Sequence, residues 1–393
     1  MTGVRRILHV LPDLSRGGGQ VVVLELVARC DRTRFDPFVC ALGGPSELAD
    51  AFGSAGATVV SLHGGGVSQL AALVRTIGRL DIDLVHVHSD SDRKIGQLAA
   101  LLKRVPVIGH LHSPWAHLEP MYEPGDPWFV RWSSRAKARL RSEVERRAVA
   151  HYIAVGGEVA RFHSGRLTAP ITVVNNGIDT ERFVPGLPAD QLAARSSLGI
   201  PADVPVVAFV GRLAPGKGQD TLLEVMQGLS QAHLLLIGDG DQFGSLADRA
   251  VQLGVSDRVL FAGNRTDVER LLIAADAFAM ASVSEGLPLS VLEAMACGLP
   301  VVAYDLPGLK DVITDGEDGR LVPFGDRSAL EVALGELLDN GSERREMAAA
   351  ARKTVTSRFD SRLMATEVEA VYDLVLGGSD RDVHRSGDVC RSA

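Results

Sequence analysis

Short runs of Val, Leu and Ile recur along the first half of the chain, at Ile7–Leu11, Val39–Leu42, Thr58–Leu62, Leu84–Val87, Val107–His110, Tyr152–Val155 and Ile171–Val174, with longer amphipathic stretches between them. A second series follows at Val206–Val210, His233–Ile237, Val259–Ala262, Ala277–Met280, Val301–Ala303 and Arg320–Val322. Runs this short and this uniformly apolar fit parallel strands buried on both faces, and the stretches between them fit the covering helices. The pattern predicts two α/β domains, each a doubly wound parallel sheet. Prolines and a glycine in Val184-Pro185-Gly186-Leu187-Pro188, and again in Ile200-Pro201-Ala202-Asp203-Val204-Pro205, break regular structure. The expected division is therefore a first domain over residues 1–183, a hinge or linker over 184–203 and a second domain over 204–359. A helical stretch follows over about 360–376. Residues 377–393 are polar and aperiodic, and read as a disordered tail.

Composition narrows this picture without changing it. A chain of 393 residues, 46% of them hydrophobic, has material for two cores. The net charge of -8 argues against general nucleic-acid binding. Cys30, Cys40, Cys297 and Cys390 form no Cys-x-x-Cys pair and no zinc spacing, so neither a disulfide framework nor a structural metal is expected. Met1 to Arg6 lead straight into an apolar strand without a signal-like core, and no long apolar run follows. The expected location is cytoplasmic.

The candidate chemistry concentrates in the stretch from Ser284 to Val302, where Glu285 and Glu293 flank Gly286-Leu287-Pro288-Leu289. Gly286 permits a tight turn and Pro288 has the φ of a first helical residue, which places Glu285 in a loop and Glu293 inside a helix. Glu293, five residues beyond Pro288, then lies about 7.5 Å along the helix axis. Two acceptors separated by a substrate-sized gap can grip two parts of one polyhydroxyl ligand, while the positive helix end favours a phosphate. Taken singly, Glu285 reads more readily as a helix cap and Glu293 as a solvated carboxylate. Arg212 and Lys217 follow the first strand of the second series, at the sheet edge where open α/β sheets take ligands. Their side chains suit a diphosphate leaving group, although two cations beside a glycine turn also describe a solvated loop. Gly17-Gly18-Gly19 could present backbone N–H groups to an anion, or serve as a flexible connection. His86 and His88 share a strand face, as do His110 and His112.

These motifs, in their order, resemble the retaining glycosyltransferases of family 4. The resemblance is carried by Gly17-Gly18-Gly19-Gln20, Asp83 to Ser89, Asn175-Asn176-Gly177-Ile178-Asp179 with Phe183, Val210 to Gly218, Leu236 to Gly240, Phe261-Ala262-Gly263 and the two-glutamate string. It covers most of residues 4–360 and implies the GT-B fold, two Rossmann-like domains facing each other across a cleft, with the final helix packing back on the first domain. It further implies transfer of a hexosyl unit, with retention, from a nucleoside-diphosphate sugar to a hydroxyl of a glycan, lipid-linked or small-molecule acceptor. UDP is the first candidate nucleotide and GDP the alternative.

By the same resemblance, Arg212 and Lys217 bind the donor diphosphate and Glu285 contacts the transferred sugar. Gly286, Leu287, Pro288 and Leu289 line the donor, Glu293 accepts from the ribose, Gly18 and Gly19 face the phosphate, and Asn264 and Arg265 read the base. His112 holds a sugar hydroxyl, and His88, Trp115 and Asn176 fall on the acceptor side. No metal or other cofactor is expected to be required, which leaves room for stimulation by a divalent metal. The family's pattern is broken at Pro307-Gly308-Leu309-Lys310-Asp311, where paired glycines and Glu are usual, and at Gly156-Gly157-Glu158, where Ser commonly precedes the Glu.

Residues 128–147 join Trp128, Phe129 and Trp132 to a basic run interrupted by Glu143 and Glu145, which suggests peripheral contact with the inner membrane face, an acceptor pocket or a solvated helix. Two rivals stand beside the transferase: a sugar-nucleotide epimerase or non-catalytic binder on the same fold, and a nicotinamide-dependent enzyme suggested by Gly238-Asp239-Gly240.

Overall fold

In the computed structural model, which describes residues 3–88, 90–113 and 142–385, the chain divides into two units: the residues up to Asn176 with those from Ser361 onward, and Gly177–Asp360. The first unit holds β1 (Arg5–Leu11), β2 (Phe35–Ala41), β3 (Thr58–Ser61), β4 (Leu84–Val87), β5 (Val107–Leu111), β6 (Val149–Ala154) and β7 (Ile171–Val173). They form one parallel sheet in the order β3-β2-β1-β4-β5-β6-β7. The order reverses between β1 and β4, so the loops leaving those strands diverge at the carboxyl edge. β2 begins earlier than its apolar run suggests, because Phe35 and Phe38 are buried on either side of Asp36-Pro37.

Helix Gly18–Arg29 buries Val22, Val23, Leu26 and Val27, the one-face spacing of a helix laid on a sheet. Val23 and Val27 meet Leu11, Leu14, Val39 and Phe52 in the core. Removing each such side chain from water contributes about 1.5–3 kcal/mol. The last helix, Ser361–Arg385, also belongs to this unit. Its Glu369 accepts from the Asp31 backbone N–H at 2.8 Å and pairs with Arg34 at 3.1 Å, and the Tyr372 ring stands edge-on to Phe35 at 5.5 Å. This helix corrects the expected tail, since residues 377–385 continue it. Once Val368, Val371, Val375 and Leu376 are anchored, each further residue adds a hydrogen bond, and no proline stops the propagation.

The second unit repeats the plan with β8 (Val206–Val210), β9 (His233–Ile237), β10 (Val259–Gly263), β11 (Ala277–Met280), β12 (Val301–Tyr304) and β13 (Gly319–Val322). Their order is β10-β9-β8-β11-β12-β13, all parallel, with the reversal between β8 and β11. The expected linker over 184–203 is also corrected, because helix Pro188–Ser197 occupies its middle. Pro188 starts that helix at its first turn, where a missing N–H is harmless, so the sequence signal taken for a break is a helix start. Arg195 binds it to the unit, donating to Asp276 Oδ2 at 2.6 Å and to the carbonyls of Ala274, Ala202 and Val204. The unit begins at Gly177, where the Ile178 N–H donates to Phe359 O at 2.9 Å and Arg352 donates to the carbonyls of Thr180 and Phe183.

Cys30, Cys40 and Cys297 are free thiols, each pushed up to about 12 chiefly by burial. No helix among the described residues is long and apolar enough to cross a membrane.

Candidate active site

In the second unit the two loops at the strand reversal carry the candidate residues. The loop after β8 runs through Arg212 and Lys217, and the loop after β11 through Glu285. They are laced together: Val283 N–H donates to Gly216 O at 2.9 Å and Ser282 Oγ to Lys217 O at 3.4 Å. Gly218 sits at φ +78°, and a β-carbon there would stand 2.1 Å from Ala281 O, so only glycine lets the loops approach this closely. Gln219 holds the other end of the first loop by donating to Arg212 O at 2.8 Å.

The result is a charge-assisted hydrogen bond between Lys217 Nζ and Glu285 Oε1, 2.8 Å long, with the Glu285 side chain 11% exposed and that of Lys217 33%. Arg212 is exposed and pairs with no acidic side chain among the described residues. Pro288 is the N-cap of helix Leu289–Ala296, one position earlier than its sequence reading as the first helical residue. Gly286 and Leu287 are buried, and Glu293 is half-buried on the helix. Behind them Gly308 presses on the turn, since a β-carbon there would lie 2.1 Å from Gly286 O and 2.6 Å from Glu285 O. The segment that departs from the family's pattern is thus the backing of the Glu285 turn.

Asn264 and Arg265 lie beyond β10, two strands from β8, and both are exposed. Arg265 forms a two-pronged pair with Asp267, both contacts 2.8 Å, which lowers the Asp267 carboxyl to about 2. Sequence alone suggested a dinucleotide loop at Gly238-Asp239-Gly240. A β-carbon at Gly238 would stand 2.0 Å from Gly211 O, and one at Gly240 2.3 Å from Leu213 O. Close packing on the loop after β8 therefore accounts for both glycines.

In the first unit Gly18 and Gly19 open helix Gly18–Arg29 with Gly17 as N-cap, rather than lying in a loop. A β-carbon at Gly18 or Gly19 would touch nothing within 4 Å, so packing does not require glycine at either position. Asp13 organises the approach to this helix, accepting from Ser15 N and Oγ and from Gln20 Nε2. Asn176 is buried just past β7.

His88 and His112 follow β4 and β5, the first buried and the second half-buried. They belong to a larger group that the sequence reading did not assemble. His9 Nδ1 lies 3.0 Å from His88 Nε2, and His86 bridges Tyr372 Oη (2.8 Å from Nδ1) and His110 Nδ1 (3.2 Å from Nε2). Burial, with Arg32 adding, lowers His9 to about 3. Burial first and neighbouring rings second hold His86, His88 and His110 well below the usual range, so these rings are neutral. Sequence gave one signal for this group, the paired histidines two apart on β4 and β5. The strand register that adds His9, and the helix that brings Tyr372, are not visible in any local window.

Trp115 and residues 128–141 lie outside the described residues. At the described end of that basic stretch, Glu143 pairs with Arg146 at 2.7 Å and Arg147 at 2.6 Å.

Comparison with known proteins gives the same outline. Residues 16–182 match the family model described as Glycosyltransferase Family 4, and residues 190–354 match Glycosyl transferases group 1. The chain is similar to a D-inositol 3-phosphate glycosyltransferase of Saccharomonospora viridis, 32% identical over 71% of this chain and 69% of the relative. It is similar to the corresponding protein of Mycobacteroides abscessus at 33% identity, over 65% of this chain and 58% of the relative. A lipopolysaccharide core biosynthesis glycosyltransferase of Rhizobium meliloti is 36% identical over 48% of this chain and 54% of the relative. The chain thus spans little more than half the length of several curated relatives. Among solved structures, Anabaena HepE in complex with UDP and glucose superposes with a TM-score of 0.81 at 22% identity, over 93% of this chain and 99% of that one. That likeness concerns the fold, which is GT-B. With both family models matched in order along a GT-B scaffold, the chain belongs to glycosyltransferase family 4.

Proposed function

We propose that the protein is a retaining glycosyltransferase that moves a hexosyl unit from a nucleoside-diphosphate sugar to an acceptor hydroxyl, without an obligatory metal or other cofactor. The observation that carries this reading is the Lys217–Glu285 pair, fixed on the two loops of the strand reversal where sheets of this kind bind nucleotides. Before the donor arrives each side chain neutralises the other. A diphosphate then takes over Lys217 and leaves the Glu285 carboxylate to accept from a sugar hydroxyl. Arg212, exposed on the same loop, offers a planar fork to the phosphates, and Glu293 accepts from the ribose. Gly286, Leu287, Pro288 and Leu289 form the turn against the donor. Asn264 is the backbone candidate for the base, and the Arg265 side chain is taken up by Asp267.

In the first unit Gly18 and Gly19 stand at a helix start, where backbone N–H groups lack intrahelical partners, which suits the donor phosphate. His112 is assigned to a hydroxyl of the transferred sugar, with His88 and Asn176 on the acceptor side. Breaking the sugar–phosphate bond moves negative charge onto the diphosphate, and Arg212 and Lys217 stabilise that charge as it forms. The acceptor hydroxyl attacks the face the diphosphate leaves, a phosphate oxygen taking its proton. Glu285 is held by a lysine rather than paired with a second carboxylate, which fits an electrostatic role better than that of a nucleophile.

UDP is the first nucleotide to test, since HepE was solved with UDP and with UDP-glucose. The relatives' substrates, an inositol phosphate and a lipopolysaccharide core, point to small phosphorylated or lipid-linked acceptors. A thermal-shift panel of UDP, GDP, ADP, dTDP and NAD tests the reading. At a hundredfold excess over Kd a true ligand adds about 2.7 kcal/mol. One nucleoside diphosphate is expected to stabilise the wild type and not Lys217→Ala or Glu293→Ala. Stabilisation by NAD alone, or shifts unchanged by both substitutions, would overturn the assignment. Conversion of the donor sugar without any acceptor would make the protein an epimerase.

A further inference from the structure

The registers of β1 with β4 and of β4 with β5 set His9 opposite His86 and His86 opposite Ile108. Since side chains alternate along a strand, His9, His86, His88, His110 and His112 all project from one face of the sheet. One ring nitrogen from each of His88, His110 and His112 lies within 4.8 Å of the others. The geometry points to a binding site for a nitrogen-seeking divalent transition-metal ion, with Zn2+ as reference, held by His88, His110 and His112 at the carboxyl edge of the first sheet.

A second trio, His9, His86 and His88, meets the same distance, but its central member is already committed. His86 spends both on Tyr372 and His110, and His9 Nδ1 faces His88 Nε2. Those bonds are what a metal site needs behind its ligands, because a coordinating imidazole is oriented through its far nitrogen. His9 stands behind His88, which makes Nδ1 the nitrogen His88 would turn to the ion. His86, itself backed by Tyr372, stands behind His110 Nδ1. The remaining nitrogen of His110, Nε2, is buried and has no hydrogen-bond partner among the described residues. A buried polar group left unmatched is unfavourable, and coordination would supply its partner.

Three imidazoles fill three corners of a tetrahedron and leave the fourth for water or an anion. Imidazole suits zinc, nickel and copper, whereas Mg2+ and Ca2+ require oxygens. Zinc–nitrogen bonds of about 2.0–2.1 Å set the ligand atoms about 3.4 Å apart, so nitrogens at the 4.8 Å limit must draw together by about 1.4 Å on binding. His112, half-buried and past the end of β5, is the ring placed to swing. Coordination would remove His112 from the sugar hydroxyl, so zinc should inhibit transfer. That consequence, unlike the site itself, rests on the proposed role of His112.

The test uses the full chain, stripped with a chelator and titrated with Co2+, with Zn2+ then added in competition. The expected result is one ion per chain, a visible absorption band of tetrahedral cobalt, displacement by Zn2+ and none by Mg2+. His112→Gln, which leaves the buried rings in place, should abolish the band, and His9→Gln should weaken binding about 10–100-fold by disorienting His88. No stoichiometric band, or a band unchanged in both His112→Gln and His88→Asn, would overturn the site. A cobalt band with no effect of Zn2+ on transfer would keep the site and instead remove His112 from sugar binding.

Discussion

At the scale of single residues, the Lys217–Glu285 pair separates stability from activity. Lys217→Ala leaves a carboxylate of 11% exposure without its cation, and should lower the unfolding free energy of the unliganded protein by about 1–3 kcal/mol. Glu285→Gln keeps an acceptor for Lys217 and should cost less than about 1 kcal/mol by the same measurement, chemical denaturation. In transfer assays Lys217→Ala should lower kcat/KM by about 10²–10³, the usual effect of removing one preorganised charge stabiliser. A Lys217→Ala protein of full activity would refute its role in leaving-group departure. These two residues were legible because Gly-rich and Pro-capped neighbours mark them in one local window each.

The histidines of the first unit were legible only as isolated pairs, because their meeting depends on register. They carry a pH dependence whose sign is fixed by their neutrality. His9, lowered to about 3 from its ordinary 6.5, stays neutral when folded over a range in which it is protonated when unfolded. His86, His88 and His110 are shifted the same way. The unfolded state therefore binds more protons below pH 6.5, and each such ring removes about 1.4 kcal/mol of stability per pH unit as pH falls. Urea midpoints measured with a chelator present should hold steady from pH 8 to 7 and fall steeply below about 6.5. A midpoint flat down to pH 5 would mean that the rings take up protons in place.

At the scale of elements, two glycines make opposite predictions. Gly19 opens a helix and a β-carbon there would touch nothing, so Gly19→Ala should stabilise the unliganded protein by about 0.4–1 kcal/mol through the unfolded chain. If the helix start receives the donor phosphate, the same change should weaken nucleotide binding, read as a smaller thermal shift. Equal shifts in the two proteins would remove Gly19 from the donor site. Gly308→Ala instead drives a β-carbon toward Gly286 O and should cost about 1–3 kcal/mol, with a further loss of kcat/KM because the displaced turn carries Glu285. The strands were readable element by element, since a run buried on both faces needs no tertiary information to be apolar. The helix Pro188–Ser197 was not, because its face is held mainly by Arg195 through backbone carbonyls and Asp276 rather than by an apolar stripe.

At the scale of the whole molecule, the two-sheet plan was legible in the repeated run of short apolar segments, while the division between the units was not. Composition placed it at prolines. The hydrogen bonds place it at Gly177, because Ile178 pairs with Phe359 and Arg352 gathers the carbonyls of Thr180 and Phe183. The second unit is therefore one unbroken stretch of chain, Gly177–Asp360, containing all six strands of its sheet. The first unit is made from two stretches, and its closing helix supplies Glu369 to Asp31 and Arg34, and Tyr372 to His86. The separate pieces should then behave differently. Residues 177–360 alone should unfold in one cooperative urea transition, within the range of about 5–15 kcal/mol usual for domains, and keep whatever nucleotide affinity Lys217, Glu285 and Glu293 supply. Residues 3–176 without the last helix would leave the buried His86 Nδ1 and the Asp31 N–H without their partners, and should give no cooperative transition until the segment 361–385 is added. Cooperative folding of residues 3–176 by themselves would show that the helix decorates the first unit rather than completing its core.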